Sequence, residues 1–521
     1  MLHDSQYWIE ANDPPSNTMR LLIGVALSAL SAAMLLVAFP PYNAWPLVFV
    51  ALIPSLLAQY RILPSRLSAV AQAVASGGFV GVYFLQIFPF LGELAWYMQG
   101  LPLFIALFSF VTQKGYRAFH ERTHYRWFVP HGIADWVGVE MIRGFIPFIG
   151  TWAFVGYTLW DQNWLLQPMS IFSIFGLNAI ILLANYALAQ VALRLFDDRF
   201  PWNEAPAVAT GISRRWLAAL GMATIAWTAL SVGMLAAAPS APDTVRVAAV
   251  QPNPSTLLEE GQSRSALNEA ERTTLMERLL VRLREQTIEA AQAGAKIVVW
   301  PEGQVTFDPQ EQGTDLFREL TRETDVHLVI GYAVDTEQGL RNEATVLTPE
   351  GEFLGTYGKA HPVIFGGETS LTRGTYPTYD TPWSTLATII CYDLNFTDVS
   401  RIMARHGAQI IAVPSADWPA IAERQYTHLR FRALENRVGM IKADMAYDSV
   451  ITDPHGRILA HDSSPQGHET ILMADLPLGT GDSIYVTLGD WVGWICLAGL
   501  VFFTFYIPVV MRRTDGSEQG N

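Results

Sequence analysis

Three ionisable side chains, Glu302, Lys359 and Cys391, each follow a short run that has the composition of a β-strand, such as the apolar run 386–390 before the thiol. Active sites of open α/β sheets gather at strand ends, so three such ends can bring these side chains together. A carboxylate can take the proton of a thiol, and an ammonium can stabilise the thiolate and an oxyanion. The residue types therefore predict an activated cysteine nucleophile.

Taken singly, the same residues have ordinary interpretations. A cysteine that ends an apolar strand is usually a small core residue, a glutamate after a strand often caps a helix, and a lysine in a turn usually lies at the surface. The second cysteine, Cys496, lies in an apolar stretch and is expected to be a thiol inside a membrane helix. Spacing alone does not decide between the catalytic and the ordinary interpretation.

Composition places much of the chain in a membrane. The 521 residues are 50% hydrophobic and 16% charged, whereas soluble chains average about 25% charged residues. Two cysteines exclude a disulfide framework and a multi-cysteine zinc cluster. The net charge of -14 argues against nucleic acid as a partner, because nucleic-acid binding needs a basic surface.

Eight apolar stretches are long enough to cross a bilayer, which takes roughly 20 residues. They are 21–39, 44–60, 68–90, 95–113, 133–156, 165–193, 216–238 and 487–511. Every second connecting loop carries Lys or Arg, for example Arg61 and Arg66 after the second stretch, and the short loops between carry neither. Since positive loops stay in the cytoplasm, we predict cytoplasmic termini and an outward-facing segment 241–485.

The first 20 residues are polar and lack the basic start and cleavage site of a signal peptide, so the first span is expected to remain in the mature protein. The predicted domains are a cytoplasmic segment 1–20, seven transmembrane helices in 21–240, a catalytic domain 241–485, and an eighth helix with a cytoplasmic tail in 486–521.

Polar residues in the fifth stretch leave two interpretations open. Asp135, Glu140 and Arg143 are costly in hydrocarbon and usually face a bundle interior. They can form a polar patch for a lipid headgroup, or Glu140 and Arg143 can form a structural pair one helical turn apart.

Segment 241–485 has the pattern of a layered α/β domain. Short β-rich runs, such as 245–250, 297–300 and 409–413, alternate with amphipathic stretches, of which the clearest covers 266–293. A domain of this length can bury one large core.

Nucleotide and metal chemistry have no support in this segment. No strand is followed by a phosphate-binding glycine motif, and no HExxH motif occurs. Its histidines are scattered without the spacing of metal ligands. We expect no cofactor and no metal.

Local sequences around the three chemical residues resemble the catalytic segments of the nitrilase (carbon–nitrogen hydrolase) superfamily. They are Trp300-Pro301-Glu302, Gly358-Lys359-Ala360-His361 and Ile390-Cys391-Tyr392-Asp393, supported by the stretches 432–437 and 449–456. The resemblance covers essentially all of 243–477. It implies an α-β-β-α sandwich with a Glu–Lys–Cys triad.

The membrane part is similar to the apolipoprotein N-acyltransferase family. The similar stretches are 38–47, 136–140 with Gly156-Tyr157, and 175–178 with Asn185. Eight spans that enclose an outward nitrilase-like domain are the architecture of that family. The resemblance implies a multi-pass protein of the bacterial inner membrane with a periplasmic catalytic domain.

The resemblance also implies a reaction. An acyl chain passes from a phospholipid to Cys391 as a thioester and then to the α-amine of an S-diacylglyceryl cysteine at a lipoprotein N-terminus. Glu302 would be the general base, and Lys359 would assist it and stabilise the oxyanion together with the backbone N–H of Tyr392. Glu368 matches a further acidic residue of the lid loop. Asp393 follows Tyr392 where the family has glutamate, and Trp418 is a candidate for lining the lipid cleft or packing in the core.

Several loops depart from the family pattern. Loop 361–368 is one residue longer, the family's Asn-Asp-Ala-Trp-Phe-Gly is Ser-Ala-Asp-Trp-Pro-Ala at 415–420, and its Arg-Ala-Thr-Asn-Thr-Gly is Lys-Ala-Asp-Met-Ala-Tyr at 442–447. These loops leave the acceptor open, so a membrane-bound acyltransferase or amidase acting on another amine or amide is an alternative. A scaffold or transporter with a retained nitrilase-like domain is a third. The expected partners are phospholipid, diacylated lipoprotein and the bilayer, and the expected oligomeric state is a monomer.

Overall fold

A computed structural model describes residues 15–85, 98–200, 205–239, 243–258, 262 and 266–518. The N-terminal part is helical. Its helices are α1 Asn17–Ala38, α2 Ile53–Leu57, α3 Val70–Phe84, α4 Leu101–Thr112, α5 Tyr116–Arg122, α6 Phe128–Arg143, α7 Asn163–Leu166, α8 Met169–Arg199 and α9 Thr210–Ala236. A final long helix, Trp491–Glu518, packs back against α6.

Six helical stretches of the described chain are long and apolar enough to cross a membrane. They are Asn17–Ala38, Trp45–Ile62, Ser65–Phe84, Met169–Arg199, Thr210–Ala236 and Trp491–Arg512. The start of the predicted stretch 95–113 and the end of the stretch 68–90 lie outside the described residues. Helix α4 covers 12 residues of the stretch 95–113. The predicted stretch 133–156 contains the end of α6, a 16-residue helix that stops at Arg143 before a series of turns. The count of eight spans stays a prediction.

The polar residues of α6 are used inside the protein. Glu140 is buried and accepts hydrogen bonds from Trp136 Nε1 at 3.0 Å and Asn178 Nδ2 at 2.6 Å. Arg143 donates to the backbone oxygen of Trp152. Glu140 therefore has a structural role, with hydrogen-bond partners in Trp136 on its own helix and Asn178 on α8.

Two six-stranded sheets form the second part of the chain. Their strands are β1 Thr244–Gln251, β2 Ile297–Val299, β3 His327–Thr336, β4 Gly339–Leu347, β5 Phe353–Gly358, β6 Thr378–Asp380, β7 Thr385–Thr388, β8 Ile410–Ser415, β9 Gly439–Asp444, β10 Asp448–Thr452, β11 Ile458–Ser463 and β12 Thr470–Pro477. One sheet has the order β12-β1-β2-β3-β4-β5, and the other has the order β11-β10-β9-β8-β7-β6.

The two sheets pack face to face and carry helices on their outer sides. Side chains such as Val247 and Val299 of the first sheet meet Ile410 and Ile441 of the second in a buried apolar layer. The helices of this part are α10 Glu269–Gln292, α11 Thr314–Thr324, α12 Asp398–Arg405, α13 Ala422–Asn436 and α14 Ile484–Leu488, before the final helix α15 Trp491–Glu518. Helices α10 and α11 cover the first sheet, and α12 and α13 cover the second. The predicted α-β-β-α sandwich is confirmed.

Helix α13 joins the sandwich to the membrane helices. Nearly every residue of this helix is buried, because one side packs on the second sheet and the other on α8. Glu435 pairs with Arg432 at 3.0 Å, and both side chains are fully buried. The same carboxylate accepts the N–H of Ile174 at 2.8 Å, directly after Ser173, whose φ of 57° interrupts α8. The Glu435 carboxylate thus contacts both the Arg432 side chain and a backbone N–H at the interruption of α8.

We predict that Glu435→Ala destabilises the folded chain by about 3–5 kcal/mol, because it leaves Arg432 buried without its carboxylate and Ile174 without its acceptor. Thermal denaturation in detergent, followed by tryptophan fluorescence, measures the change. The control is Glu423→Ala on the exposed side of the same helix, which is expected to stay within about 0.5 kcal/mol of the unchanged protein. Equal midpoints of thermal denaturation for the two variants would contradict this account of the contact between α13 and α8.

Candidate active site

The structure brings Glu302 and Lys359 into direct contact. Glu302 lies in the turn after β2, and Lys359 is the first residue after β5 at the far edge of the same sheet. Lys359 Nζ lies 2.8 Å from Glu302 Oε1. Strand β3 passes close to this turn at Gly331, where a Cβ atom would lie 2.9 Å from the Cα of Glu302. Glycine there leaves room for the turn to seat the carboxylate.

A second carboxylate, Glu368, holds the other side of the Lys359 ammonium at 2.9 Å. Lys359 is only 1% exposed. Burial opposes its charge, but Glu302 and Glu368 outweigh that effect and raise the pKa of Lys359 well above its usual value. The ammonium is therefore charged at neutral pH and fixed in position. The lid-loop glutamate expected from the sequence lies in this cluster.

Asn342 is a site residue that the sequence did not indicate. Its side-chain amide donates to Glu302 Oε1 at 2.6 Å and also to Glu368 Oε1. It lies on β4, which the sequence analysis does not predict as a strand, and a lone asparagine there is not a recognisable signal. In the structure, it fixes the two carboxylates relative to each other.

Cys391 lies at a sharp change of direction. The strand β7 ends at Thr388, and a short 3-10 helix begins at Cys391. The φ angle of Cys391 is 41°, a left-handed conformation that costs energy for any residue with a Cβ atom. The strained turn aims the thiol into a cavity instead of the sandwich core. Cys391 is 7% exposed and packs in a buried apolar cluster, and it also lines the cavity.

The thiol has a carboxylate neighbour that the sequence analysis did not select. Cys391 Sγ lies 3.4 Å from Asp417 Oδ1, in the loop after β8. Burial, Glu302 and Asp417 raise the pKa of the Cys391 thiol well above its usual value, and Lys359 acts in the opposite direction. The side chain of Cys391 is therefore protonated at neutral pH. In the sequence analysis, Asp417 appears only as one residue of the altered loop 415–420.

Tyr392 and Asp393, the two residues after Cys391, have different surroundings. Tyr392 lines the cavity. Asp393 is buried beside it and accepts hydrogen bonds from Tyr357 OH at 2.6 Å and from the backbone N–H of His361 at 2.8 Å. Burial raises the pKa of Asp393 to about 6. Because Tyr357 and His361 flank Lys359 in the chain, Asp393 supports the strand end that carries the ammonium.

A cavity of about 410 Å³ opens in front of the thiol. Polar groups gather at one end, and aromatic and aliphatic side chains form most of the wall. Trp418 and Phe365 meet there edge to face at 6.0 Å between ring centres. Trp418 lines this cavity and also packs against the buried Met98. A volume of this size is typical of sites that enclose a small molecule or one chain of a larger one.

The cavity is shared between the sandwich and the helical part. Phe84 at the end of α3, Leu101 at the start of α4, and Phe148 and Trp152 after α6 complete its apolar wall. The two parts are joined beside it, where the backbone N–H of Thr151 donates to the backbone oxygen of Asn395 at 2.8 Å. Residues of both parts of the chain therefore bound the cavity that Cys391 lines. Among the described residues, no group of three His, Cys, Asp or Glu side chains is arranged to hold a metal ion.

Both parts of the chain match known protein families. Residues 246–485 match the carbon–nitrogen hydrolase family, and residues 31–187 match the apolipoprotein N-acyltransferase N-terminal domain. A curated protein named apolipoprotein N-acyltransferase, from Geobacter metallireducens, is 26% identical over 91% of this chain and 93% of its own length. The chain belongs to the apolipoprotein N-acyltransferase family. It is thus an acyltransferase of the nitrilase superfamily, and its long apolar helices mark it as a bacterial membrane protein.

Other relatives fall into two groups. An apolipoprotein N-acyltransferase from Rhodopseudomonas palustris is 24% identical over 94% of this chain and 96% of its own length. The omega-amidase NIT2 of Mus musculus is 28% identical and covers only 36% of this chain, within 79% of its own length. Among solved structures, an amidase of Nesterenkonia AN1 from the nitrilase superfamily aligns with a TM-score of 0.36 and 21% identity, over 48% of this chain and 95% of that one.

We predict that Glu302→Gln makes the Cys391 thiol easier to ionise. The substitution removes a negative charge that raises the pKa of the thiol, so the thiolate fraction grows at a given pH. The rate of alkylation by iodoacetamide, measured against pH in a Cys496→Ser background, is expected to rise at lower pH in this variant. Glu311→Gln, an exposed change in the same domain, should leave the profile in place. A shift of the Glu302→Gln profile to higher pH would contradict the prediction.

Proposed function

We propose that this protein transfers an acyl chain from a phospholipid to the α-amine of an S-diacylglyceryl cysteine at the N-terminus of a lipoprotein. The observation that carries the proposal is the Glu302–Lys359–Glu368 charge cluster beside Cys391, at the polar end of an apolar cavity shared with membrane helices. The family membership and the names of the full-length relatives agree with it.

In the first half-reaction, Glu302 acts as general base. It receives the thiol proton as the sulfur of Cys391 attacks the ester carbonyl of the phospholipid. The oxyanion that forms is stabilised by the Lys359 ammonium and the backbone N–H of Tyr392. When the C–O bond breaks, Glu302 returns the proton to the lysophospholipid oxygen, and the acyl chain stays on sulfur as a thioester.

In the second half-reaction, the acceptor amine attacks the thioester carbonyl. The N–C bond forms, the C–S bond breaks, and the thiol is restored. Glu368 and Asn342 keep Glu302 and Lys359 in place through both steps, because Asn342 donates to Glu302 and Glu368 accepts from Lys359. Apolar walls around the thioester slow its hydrolysis by limiting the access of water.

We further propose that the catalytic domain faces the periplasm and both termini face the cytoplasm. Arginines near the start of α1 and at the end of α5 are hydrogen-bonded to other elements of the helical part. Arg20 donates to the backbone oxygen of Ile62 at 2.7 Å, and Arg122 donates to that of Met511 at 2.9 Å. Positive charge concentrated at one end favours the cytoplasmic side for that end. The domain bounds of 1–20, 21–240, 241–485 and 486–521 follow this arrangement, with a single chain as the working unit.

An amidase or acyltransferase acting on a different amine or amide is the second candidate. Its support is the similarity of the sandwich to omega-amidases over 222 residues together with the altered loops 415–420 and 442–447. The apolar wall contributed by the membrane helices favours a lipid acyl group over a small soluble amide.

The proposed reaction predicts that Cys391→Ala abolishes acylation of a synthetic diacylated lipopeptide by phospholipid, because no thioester can form. Lys359→Met is expected to reduce turnover by at least about a hundredfold, since it removes the charge that stabilises the oxyanion. Mass spectrometry of the lipopeptide in mixed micelles measures the product.

Cys496→Ser, the change of the other cysteine, should retain full turnover. Undiminished turnover in Cys391→Ala would refute the nucleophile. No turnover by the unchanged protein with this acceptor, together with hydrolysis of a short amide, would favour the second candidate.

A further inference from the structure

A carboxylate outside the Glu302–Lys359–Glu368 cluster touches the nucleophile. Asp417 is 1% exposed and lines the cavity. Its Oδ1 atom lies 3.4 Å from Cys391 Sγ and accepts a hydrogen bond from Ser415 Oγ at 3.0 Å. The thiol therefore has an acidic neighbour on the side of β8 in addition to the base proposed for the reaction.

The position of Asp417 is fixed from behind by neighbouring strands. Lys442 on β9 donates to Asp417 Oδ2 at 2.5 Å and to Asp448 Oδ2, at the start of β10, at 2.8 Å. The backbone N–H of Asp417 donates to Asp444 Oδ2 at 2.7 Å. Because the support comes from strands rather than loops, Oδ1 cannot turn away from the sulfur.

The two half-reactions differ in the number of protons that must be removed. In the first, the thiol proton ends on the oxygen of the lysophospholipid, and one base can carry it. In the second, an α-ammonium becomes an amide and loses two protons, of which one restores the thiol and one leaves the site. An α-amine has a pKa of about 7.7–8.0, so at neutral pH most of the acceptor arrives as the ammonium. The second step therefore needs a second proton acceptor.

Acylation changes what Asp417 can bind. While the thiol is free, its S–H is positioned to donate to Oδ1. A thioester has no S–H, so the same oxygen loses this donor while it stays buried, which is unfavourable until another donor arrives. An ammonium supplies both a donor and an opposite charge. Asp417 Oδ1 therefore lacks the S–H donor at the stage when the amine has to bind beside the thioester.

We propose that Asp417 binds the ammonium of the acceptor at the acyl-enzyme and takes its first proton. This inference rests on the proposed function and assigns the residue that selects an amine as acceptor. Asp417 Oδ1 accepts one N–H proton and leaves a neutral amine. The amine nitrogen then attacks the thioester, and Glu302 takes the second proton and delivers it to the departing sulfur. Asp417 afterwards releases its proton to water.

The environment of Asp417 agrees with this role. Burial raises its pKa above the usual value, and Lys442 opposes the rise, so the carboxylate is a better proton acceptor than an exposed aspartate. Water and alcohols carry neither a positive charge nor an acidic proton of this kind. Asp417 therefore favours amine acceptors over hydrolysis of the thioester.

The test separates the two half-reactions of the detergent-solubilised full chain. Phospholipid is added alone, and the mass of the Cys391 adduct is followed with time. A diacylated lipopeptide is then added, and the decay of the adduct is measured between about pH 6 and about pH 9, which brackets the ammonium pKa. Asp417→Asn is expected to form the adduct within about threefold of the unchanged rate. Transfer is expected to slow by about a hundredfold at neutral pH, the usual size of a proton-transfer contribution, and to recover as pH rises.

Asp448→Asn is the matched control. Like Asp417→Asn, it removes one of the two carboxylates on Lys442 and leaves the other, but Asp448 is not in contact with the sulfur. It is expected to keep the ratio of the two rates found in the unchanged protein. Asp417→Ala is the second variant, with the same expectation as Asp417→Asn.

Each further outcome has one meaning. If the Asp417 variants form the adduct and transfer it at the unchanged rate and pH dependence, the inference is wrong and the proposed function stands. If neither variant forms an adduct and the unchanged protein does, Asp417 acts in the first step, and the assignment to the amine is wrong. If the unchanged protein forms no acyl adduct from phospholipid, the proposed function fails, and this inference fails with it.

Discussion

The site depends on one buried ammonium held between two carboxylates. Lys359 can stay charged inside the protein only because Glu302 and Glu368 both contact it, and an unpaired charge at this depth would cost several kcal/mol. The three groups come from different places, namely the turn after β2, the end of β5 and the lid loop. The cluster therefore fixes the edge of the first sheet and the path of the loop 361–368 at once. Cys391 comes from the other sheet, so the packing of the two sheets determines whether the thiol faces the cluster.

Much of this arrangement could be predicted from the sequence. The β-rich runs 245–250, 297–300 and 409–413 are strands, and the amphipathic run 266–293 contains the helix α10. Local motifs placed Glu302, Lys359, Cys391 and Glu368 in one site although 89 positions separate the first from the third in the numbering. Periodicity identifies a strand or a helix well when one face is buried along its whole length. The local motifs indicated that these residues lie in one site, which their spacing in the chain does not indicate.

Other features were beyond sequence reasoning for physical reasons. Asn342 and Asp417 act through contacts with groups that are distant in the chain, and a lone amide or carboxylate carries no local signal of such a partner. The membrane part shows the same limit. Glu140 accepts a hydrogen bond from Asn178 and Arg143 donates to the backbone oxygen of Trp152, because tertiary contacts decide which buried polar groups meet. Strands β6 and β10 are not predicted from the sequence, because neither contains an uninterrupted apolar run like that of β2.

The shared cavity explains why a nitrilase-like domain would be combined with membrane helices. Phe84, Leu101 and Trp152 extend the wall of the cavity from the sandwich into the helical bundle. A lipid chain can lie along this wall with its ester at the charge cluster. The helices thus supply both the access route and the apolar surroundings that a long-lived thioester needs.

The central claim is that the first covalent partner of Cys391 is an acyl chain from a membrane lipid. It is tested most directly by incubating the protein, reconstituted in vesicles of one phospholipid of defined chain length, in the absence of any acceptor, and measuring the mass of the peptide that contains Cys391. We predict an added mass equal to the acyl chain of that phospholipid, which changes when the chain length of the lipid changes and disappears on treatment with hydroxylamine. An unmodified thiol after prolonged incubation, or an adduct whose mass is independent of the lipid, would contradict the account.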